Sequence, residues 1–269
     1  MNKLAVITGA TGGIGGAIAE ALCGHDYHVC LVGRDTEKLA AKQRELQSQY
    51  NNCVIHTVCC DILDPLQRQS LVSSVMALPE TLTLWINNAG INQFGLLEDQ
   101  TDEVVSNQLA VNATAPMLLT KAVINAVDHT RPLQIINIGS TFGTIGYAGF
   151  VAYSASKFAL RGFSEALDRE LADTQIDVRY FAPRATQTAL NSLDVIDMNR
   201  ALKVAMDEPA VVAKAFMRFL EGGRRVWYVG FPEKFFARLN SLLPNVVSKA
   251  LKKQLPVIKS FASQKHPRS

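Results

Sequence analysis

The sequence predicts an α/β fold: a doubly wound parallel sheet of about seven strands, helices on both faces, and a helical C-terminal extension. Three observations predict it. Short apolar runs alternate with helical periodicity as far as about residue 229. The first run passes through a glycine-rich turn straight into a helical pattern. A chain of 269 residues, 48% hydrophobic and 19% charged, is also long and apolar enough to bury one large core.

Lys3 to Thr8 is apolar enough to be a strand covered on both faces of a parallel sheet. Gly9, Thr11, Gly12, Gly13, Ile14 and Gly15 form the turn after it, and a helix is expected from Ala17 to Leu22. Strand, glycine-rich turn and helix is the context of a dinucleotide-binding loop. The glycines let the backbone approach a pyrophosphate, and the helix N-terminus directs unpaired N–H groups at it.

Val29 to Val32 is the second strand, ending in Gly33-Arg34-Asp35, with a charged helix from Thr36 to Gln49. An acid at this tip selects a free ribose 2′-hydroxyl, and an arginine accommodates a 2′-phosphate. Gly33 stands at the acid's position with Arg34 beside it, so NADP(H) is favoured over NAD(H). The alternative for Arg34 is a solvated strand end, with Asp35 serving as a helix N-cap.

Val54 to Cys60 is the third strand, and Asp61-Ile62 at its end can face an adenine. A helix follows from Leu66 to Leu78. Leu82 to Ile86 is the fourth strand, closed by Asn87-Asn88-Ala89-Gly90, whose small and amide residues suit the ligand crevice of an α/β sheet. In the helix after Thr101, Asn112 is a poor helix former among apolar neighbours and needs a partner. Gln134 to Ile138 is the fifth strand, with Ser140 and Thr141 at its tip.

A long helix is expected from Val151 to Asp173. Positions four apart share a helix face, which sets the Tyr153 phenol beside the Lys157 ammonium; a neighbouring cation favours the ionised phenol and lowers its pKa. Ile176 to Ala182 is the sixth strand. It leads into Pro183-Arg184-Ala185-Thr186-Gln187-Thr188, a polar loop able to close over a cofactor, and then Asn191 to Asp207, a candidate lid. A helix from Pro209 to Leu220 and a strand from Arg225 to Val229 complete the alternation.

Charge and cysteines narrow the function classes. From 232 to 269 eight Lys/Arg stand against one acid, a charge of +7, while the remainder carries −4; a nucleic-acid binder would place its basic surface on the folded body instead. The five cysteines contain no Cys-x-x-Cys, and the histidines show no metal-ligand spacing, so no metal is assigned and buried free thiols are expected. With no apolar run near ~18 residues and no signal-peptide pattern, a cytoplasmic compartment is the default.

The motifs Thr8-Gly9-x-x-x-Gly13-Ile14-Gly15, Asn87-Asn88-Ala89-Gly90, Asn112, Ser140 and Tyr153-x-x-x-Lys157 stand in an order and spacing that resembles the short-chain dehydrogenase/reductase family, over about Lys3 to Val229. The resemblance implies a Rossmann-type oxidoreductase interconverting a carbonyl and an alcohol. Tyr153 would be its general acid or base, Lys157 would lower the phenol's pKa and hold the nicotinamide ribose, Ser140 would bond the substrate oxygen, and Asn112 would hold a water behind Lys157. Pro183-Arg184 departs from the family's usual Pro-Gly, which puts the local backbone in question and sets a cation near the nicotinamide; Thr186 and Thr188 keep the later polar positions. A catalytically silent dinucleotide sensor and a membrane-associated interaction protein are the competing classes, and small-molecule substrates with a homo-oligomer are the implied partners.

Phe94, Thr141, Phe142, Tyr147, Phe150 and the segment 187–207 flank Ser140 and Tyr153 and suggest a lipophilic substrate, unless these aromatics simply pack beneath the loop. The chain divides into a catalytic domain over 1–231 and a basic amphipathic extension over 232–269. In the extension Phe235, Phe236, Leu239, Leu242 and Leu243, then Val246, Val247, Ala250 and Leu251, recur at helical intervals among lysines. Such a helix can lie in a membrane interface, dock on its own subunit, or pack on a partner.

Overall fold

The computed structural model describes residues 2–230 and 233–262; the expected boundary at Phe231-Pro232 and the basic residues Lys265 and Arg268 lie outside the described residues. Seven strands form one parallel sheet: β1 (Lys3–Thr8), β2 (Tyr27–Gly33), β3 (Ile55–Cys59), β4 (Thr81–Asn87), β5 (Leu133–Ile138), β6 (Ile176–Ala182) and β7 (Val226–Tyr228). Their spatial order is β3-β2-β1-β4-β5-β6-β7, with β1 hydrogen-bonded to β2 on one side and β4 on the other. The chain therefore winds outward one way from β1 and then the other way from β4. The connections part at that seam, opening a crevice at the carboxyl ends of the two central strands.

The helices of the body are α1 (Gly13–Cys23), α2 (Thr36–Gln49), α3 (Pro65–Met76), α4 (Asp102–Leu109), α5 (Ala115–Ala126), α6 (Val151–Glu170), α7 (Leu193–Ala201) and α8 (Pro209–Glu221). Local chemistry sets their starts. Asp35 caps α2 by accepting from Lys38 N, and Asp64 caps α3 by accepting from Leu66 N and Gln67 N, with Pro65 pre-set for the first turn. One sheet face buries Ile7, Ile18, Leu22, Phe216 and Phe219 under α1 and α8; the other buries Leu4, Val6, Trp85, Leu119 and Val178 under α3, α5 and α6.

Two boundaries differ from expectation in an instructive way. α1 begins at Gly13, four residues before the expected Ala17, because packing overrides glycine's poor helix propensity. A methyl at Gly13 would meet Thr188, and one at Gly15 would lie 2.4 Å from Gly9 O, so only glycines let this first turn sit so close to its neighbours. The extension is three short helices, α9 (Glu233–Leu242), α10 (Pro244–Lys252) and α11 (Leu255–Ala262). Pro244 takes the first position of α10, where a proline can start a helix but not continue one.

Candidate active site

A cleft of about 840 Å³ lies over the crevice, and every dinucleotide candidate read from the sequence lines it, from Gly9 and Thr11 through Arg34, Asp61 and Ile62 to Pro183, Thr186 and Thr188. At its floor Gly9 adopts a φ of +64°, a left-handed turn, and a methyl there would lie 2.9 Å from Ala89 Cα. Thr8 Oγ1 accepts from both Asn88 N and Ala89 N, while Asn88 Nδ2 donates to Thr8 O and Gly9 O. The Asn88 side chain thus clamps the tips of β1 and β4 together.

The residues of the lining suit a dinucleotide. α1 is preceded by Gly12, which gives no side-chain cap, and has no acid in its first turn, which leaves first-turn N–H groups and the positive end of the helix dipole for an anion. Gly12 carries no side chain to fill the space above it, and Arg34 is exposed at the rim where β2 ends.

Tyr153 and Lys157 lie on the first turns of α6, held to the sheet by a buried polar chain. Asn87 Nδ2 donates to Thr120 Oγ1 and Asn137 Oδ1, and Asn137 Nδ2 donates to Ser164 Oγ on α6. Lys157 Nζ donates to Ile138 O at 3.0 Å and stands 5.8 Å from the Tyr153 ring centre. Ser140 Oγ accepts from Phe142 N at 3.1 Å, and the Ser140 hydroxyl lies close enough to Tyr153 to favour its ionised form. Tyr180, packed against Gly139 and Gly143, fixes the Ser140 backbone by donating to Ser140 O and accepting from Ser140 N.

The electrostatics correct the sequence expectation. Burial pushes Tyr153 up to about 12, opposed only by the Ser140 hydroxyl, and lowers Lys157 to about 8. Desolvation of the charged form is the largest influence on each group, so adjacency along the helix does not by itself give the direction of either shift. Near neutral pH the site holds a neutral phenol, the form able to give a proton.

Asn112 differs as well. It lies in a single turn of π-helix, Ala110–Thr114, between α4 and α5. Its side chain accepts from Ile91 N, donates to Ile91 O and reaches Ser156 Oγ, which in turn donates to Tyr153 O. The amide therefore braces α6 between the tyrosine and the lysine and does not line the cleft.

Arg184 keeps a negative φ, so the departure from Pro-Gly introduces no left-handed strain. Its guanidinium pairs in bidentate fashion with the buried Asp207, at 2.7 and 2.6 Å, which answers the cation that could have favoured an anionic substrate. Gln187 N donates to Asp207 O and Asp207 N to Ala185 O, so the two ends of the lid segment are stitched to each other.

On the substrate side Thr141, Phe142, Tyr147 and Phe150 line the cleft as expected; Phe94 does not. Its ring packs on Phe150 and against Gly149, behind the wall. Sequence reading missed the roof. Phe236, Val247, Ala250, Leu251 and Gln254 of the extension line the same cleft, beside Val195 and Asn199 of α7 from the expected segment 187–207.

Of the three dispositions open to the tail, the described residues dock on their own subunit. Val247 is 3% exposed and Ile258 1%, the latter in a cluster with Phe150, Met198 and Tyr153. Tyr147 Oη donates to Gln254 Oε1 at 2.5 Å, and Asn240 Nδ2 donates to Thr144 O. The recurring apolar residues were the one signal of this roof, and they named no destination. Among the described residues no helix is long and apolar enough to cross a membrane.

Comparison with known proteins agrees with this geometry. The model of the short chain dehydrogenase family matches residues 3–198. The chain is 35% identical over 201 residues to 3-oxoacyl-acyl-carrier-protein reductase FabG of Salmonella typhimurium, covering 75% of this chain and 77% of that one. Among solved structures it is similar to a short-chain dehydrogenase from Streptomyces avermitilis, at 26% identity and a TM-score of 0.78 over 97% of this chain and 98% of that one. It is also similar to a variant actinorhodin polyketide ketoreductase with NADPH, at 26% identity and a TM-score of 0.76 over 85% and 95% of the two chains. With the crevice, the glycine turn and the Ser140–Tyr153–Lys157 group agreeing with a family match over most of the body, this chain belongs to the short-chain dehydrogenase family of oxidoreductases.

Proposed function

We propose that the protein is an NADP(H)-dependent reductase of a lipophilic ketone or aldehyde, with Tyr153 as general acid. The observation that carries this reading is the meeting of Ser140, Tyr153 and Lys157 in one cleft whose outer wall is aromatic and aliphatic. When bound, the dinucleotide supplies the hydride.

The chain's residues supply the rest. The uncapped start of α1 and the glycine turn bind the pyrophosphate, Arg34 meets the 2′-phosphate, and Lys157 Nζ holds the nicotinamide ribose. Ser140 Oγ and Tyr153 Oη both donate to the substrate oxygen, where negative charge grows, and Tyr153 then gives up its proton there. Asn112 acts through Ser156 and Tyr153 O to hold α6, so it is a positioning residue. Preference for NADP(H) is supported by Arg34 at the β2 tip, by the absence of an acid at Gly33, and by NADPH in the actinorhodin ketoreductase structure.

The extension is read as part of the substrate site. Phe236, Val247 and Leu251 face the cleft, and the exposed Phe235, Leu242, Leu243 and Val246 beside them form an apolar rim for substrate entry instead of a lipid anchor. Tyr153→Phe tests the chemistry. Turnover of NADPH with a panel of medium-chain ketones is expected to fall about 10²- to 10⁴-fold, while NADPH binding followed by fluorescence stays unchanged. Retained turnover in this variant would sink the proposal.

A further inference from the structure

A second concentration of reactive groups lies at the opposite end of α1 from the glycine turn. Cys23 is the last residue of α1, and Cys53 sits in the turn between α2 and β3. Their sulfur atoms are 3.0 Å apart, about 1 Å beyond the covalent S–S distance of ~2.05 Å. Both backbones are fixed: Cys53 N donates to Tyr50 O, its sulfur lies 3.1 Å from Tyr27 O, and Cys23 belongs to the core cluster beneath α1.

The site is built for reaction as well as for contact. Hydrogen bonding between the two thiols holds Cys53 below its ordinary range and pushes Cys23 up, so Cys53 is the group that ionises first. Lys42, whose charge favours ionised Cys23, stands near enough to be felt there. Cys23 and Cys53 are buried, at 9% and 4% exposure, and with Tyr27, Tyr50 and Asn52 they line a cavity of about 660 Å³ through which a small molecule can approach. Cys59 is exposed, and burial in the sheet pushes Cys30 up to about 12. Neither shares the arrangement.

We propose that Cys23 and Cys53 are a reactive dithiol, oxidised by a low-molecular-weight disulfide to an intramolecular disulfide that fastens the end of α1 to the segment opening β3. The Cys53 thiolate attacks one sulfur of the oxidant; the oxidant's S–S bond breaks, and one thiolate leaves and takes up the proton released by Cys53. Cys23, losing its own proton, then attacks the Cys53 sulfur of the mixed disulfide and expels the second thiolate, which takes that proton. Two protein thiols are oxidised and one external disulfide is reduced to two thiols. Neither cysteine lines the Tyr153 cleft.

The closed loop of thirty positions restricts the unfolded chain, so oxidation is expected to raise Tm by about 5–10 °C. The test treats the folded full-length protein with oxidised glutathione near the free-thiol pKa of about 8.5. Remaining thiols are blocked with N-ethylmaleimide, and the digest is read by mass spectrometry alongside a melting curve. A peptide pair joined through Cys23 and Cys53, a raised Tm, and reversal of both by dithiothreitol are expected in the native sequence and in Cys59→Ser, and in neither respect in Cys53→Ser. Recovery of Cys23 and Cys53 as blocked thiols overturns the proposal. So does glutathione held only on Cys59, or a linked pair that forms only after unfolding in urea.

Discussion

The two walls of the cleft are made by different physics. The nucleotide wall is polar, short-range and made largely of backbone: Gly9 in a left-handed turn, Asn88 clamping two strand tips, and an uncapped helix start. The wall proposed for the substrate is apolar side chains from segments far apart in the chain, with Phe150, Met198 and Ile258 in one cluster and Tyr147 bonded to Gln254 across 107 positions. Backbone constraints tolerate almost no change of residue type. Apolar contacts tolerate any side chain of fitting volume, so this wall is free to specify substrate without disturbing the cofactor.

Substitutions that strike one wall and spare the other put that difference to the test. Gly15→Ala is expected to do most, because its methyl would sit 2.5 Å from Asn88 Nδ2 and 2.4 Å from Gly9 O. Overpacking here costs about 1–3 kcal/mol and misplaces the turn; NADPH titration should show affinity lost by about a hundredfold or more. Arg34→Ala comes next, removing one charge-assisted contact worth about 1.5–3 kcal/mol. NADPH affinity should drop about 10- to 100-fold with NADH affinity unchanged, and an equal drop for both would detach Arg34 from the 2′-phosphate.

On the other wall Ile258→Ala removes a side chain that is 1% exposed. The KM for a medium-chain ketone is expected to rise about tenfold as the roof loosens, with the NADPH dissociation constant unmoved. A shift in both would show that the walls are not independent.

The smallest effect is at the seam. Lys157 is lowered to about 8 when folded, against 10.5 for the free group. Between those values the unfolded chain holds a proton that the folded chain has released, so stability rises with pH there, by about 1 kcal/mol from pH ~8 to ~9. Urea unfolding should show this rise in the native protein and not in Lys157→Met. Tyr153, raised to about 12, acts in the opposite sense above pH ~10, where the unfolded phenol ionises first.

The nucleotide wall was almost wholly legible in the sequence, since glycines and strand tips announce backbone geometry by residue type. Tyr153 and Lys157 were legible through helical spacing, but their electrostatics were not. Spacing gives adjacency, whereas the sign of the Tyr153 shift depends on how much water Phe142, Tyr147 and Phe150 exclude around it. Phe94 looked like a wall residue from its place near the crevice and packs behind Phe150 instead. Asn112 was visible as an anomaly in a helix, and only the π-turn showed that its amide is spent on Ile91 and Ser156.

What the sequence determined alone was the alternating fold, the glycine turn, the helix that carries Tyr153 and Lys157, and the arginine at the tip of β2. These rest on local propensity, periodicity and turn chemistry, which act over a few residues. The tertiary structure alone decided the Arg184–Asp207 pair, the raised phenol, the Cys23–Cys53 contact, and the docking of α10 on the cleft and of α11 against Phe150. Each of these depends on groups distant in the chain meeting in space and on the water they displace together, and no local pattern encodes that.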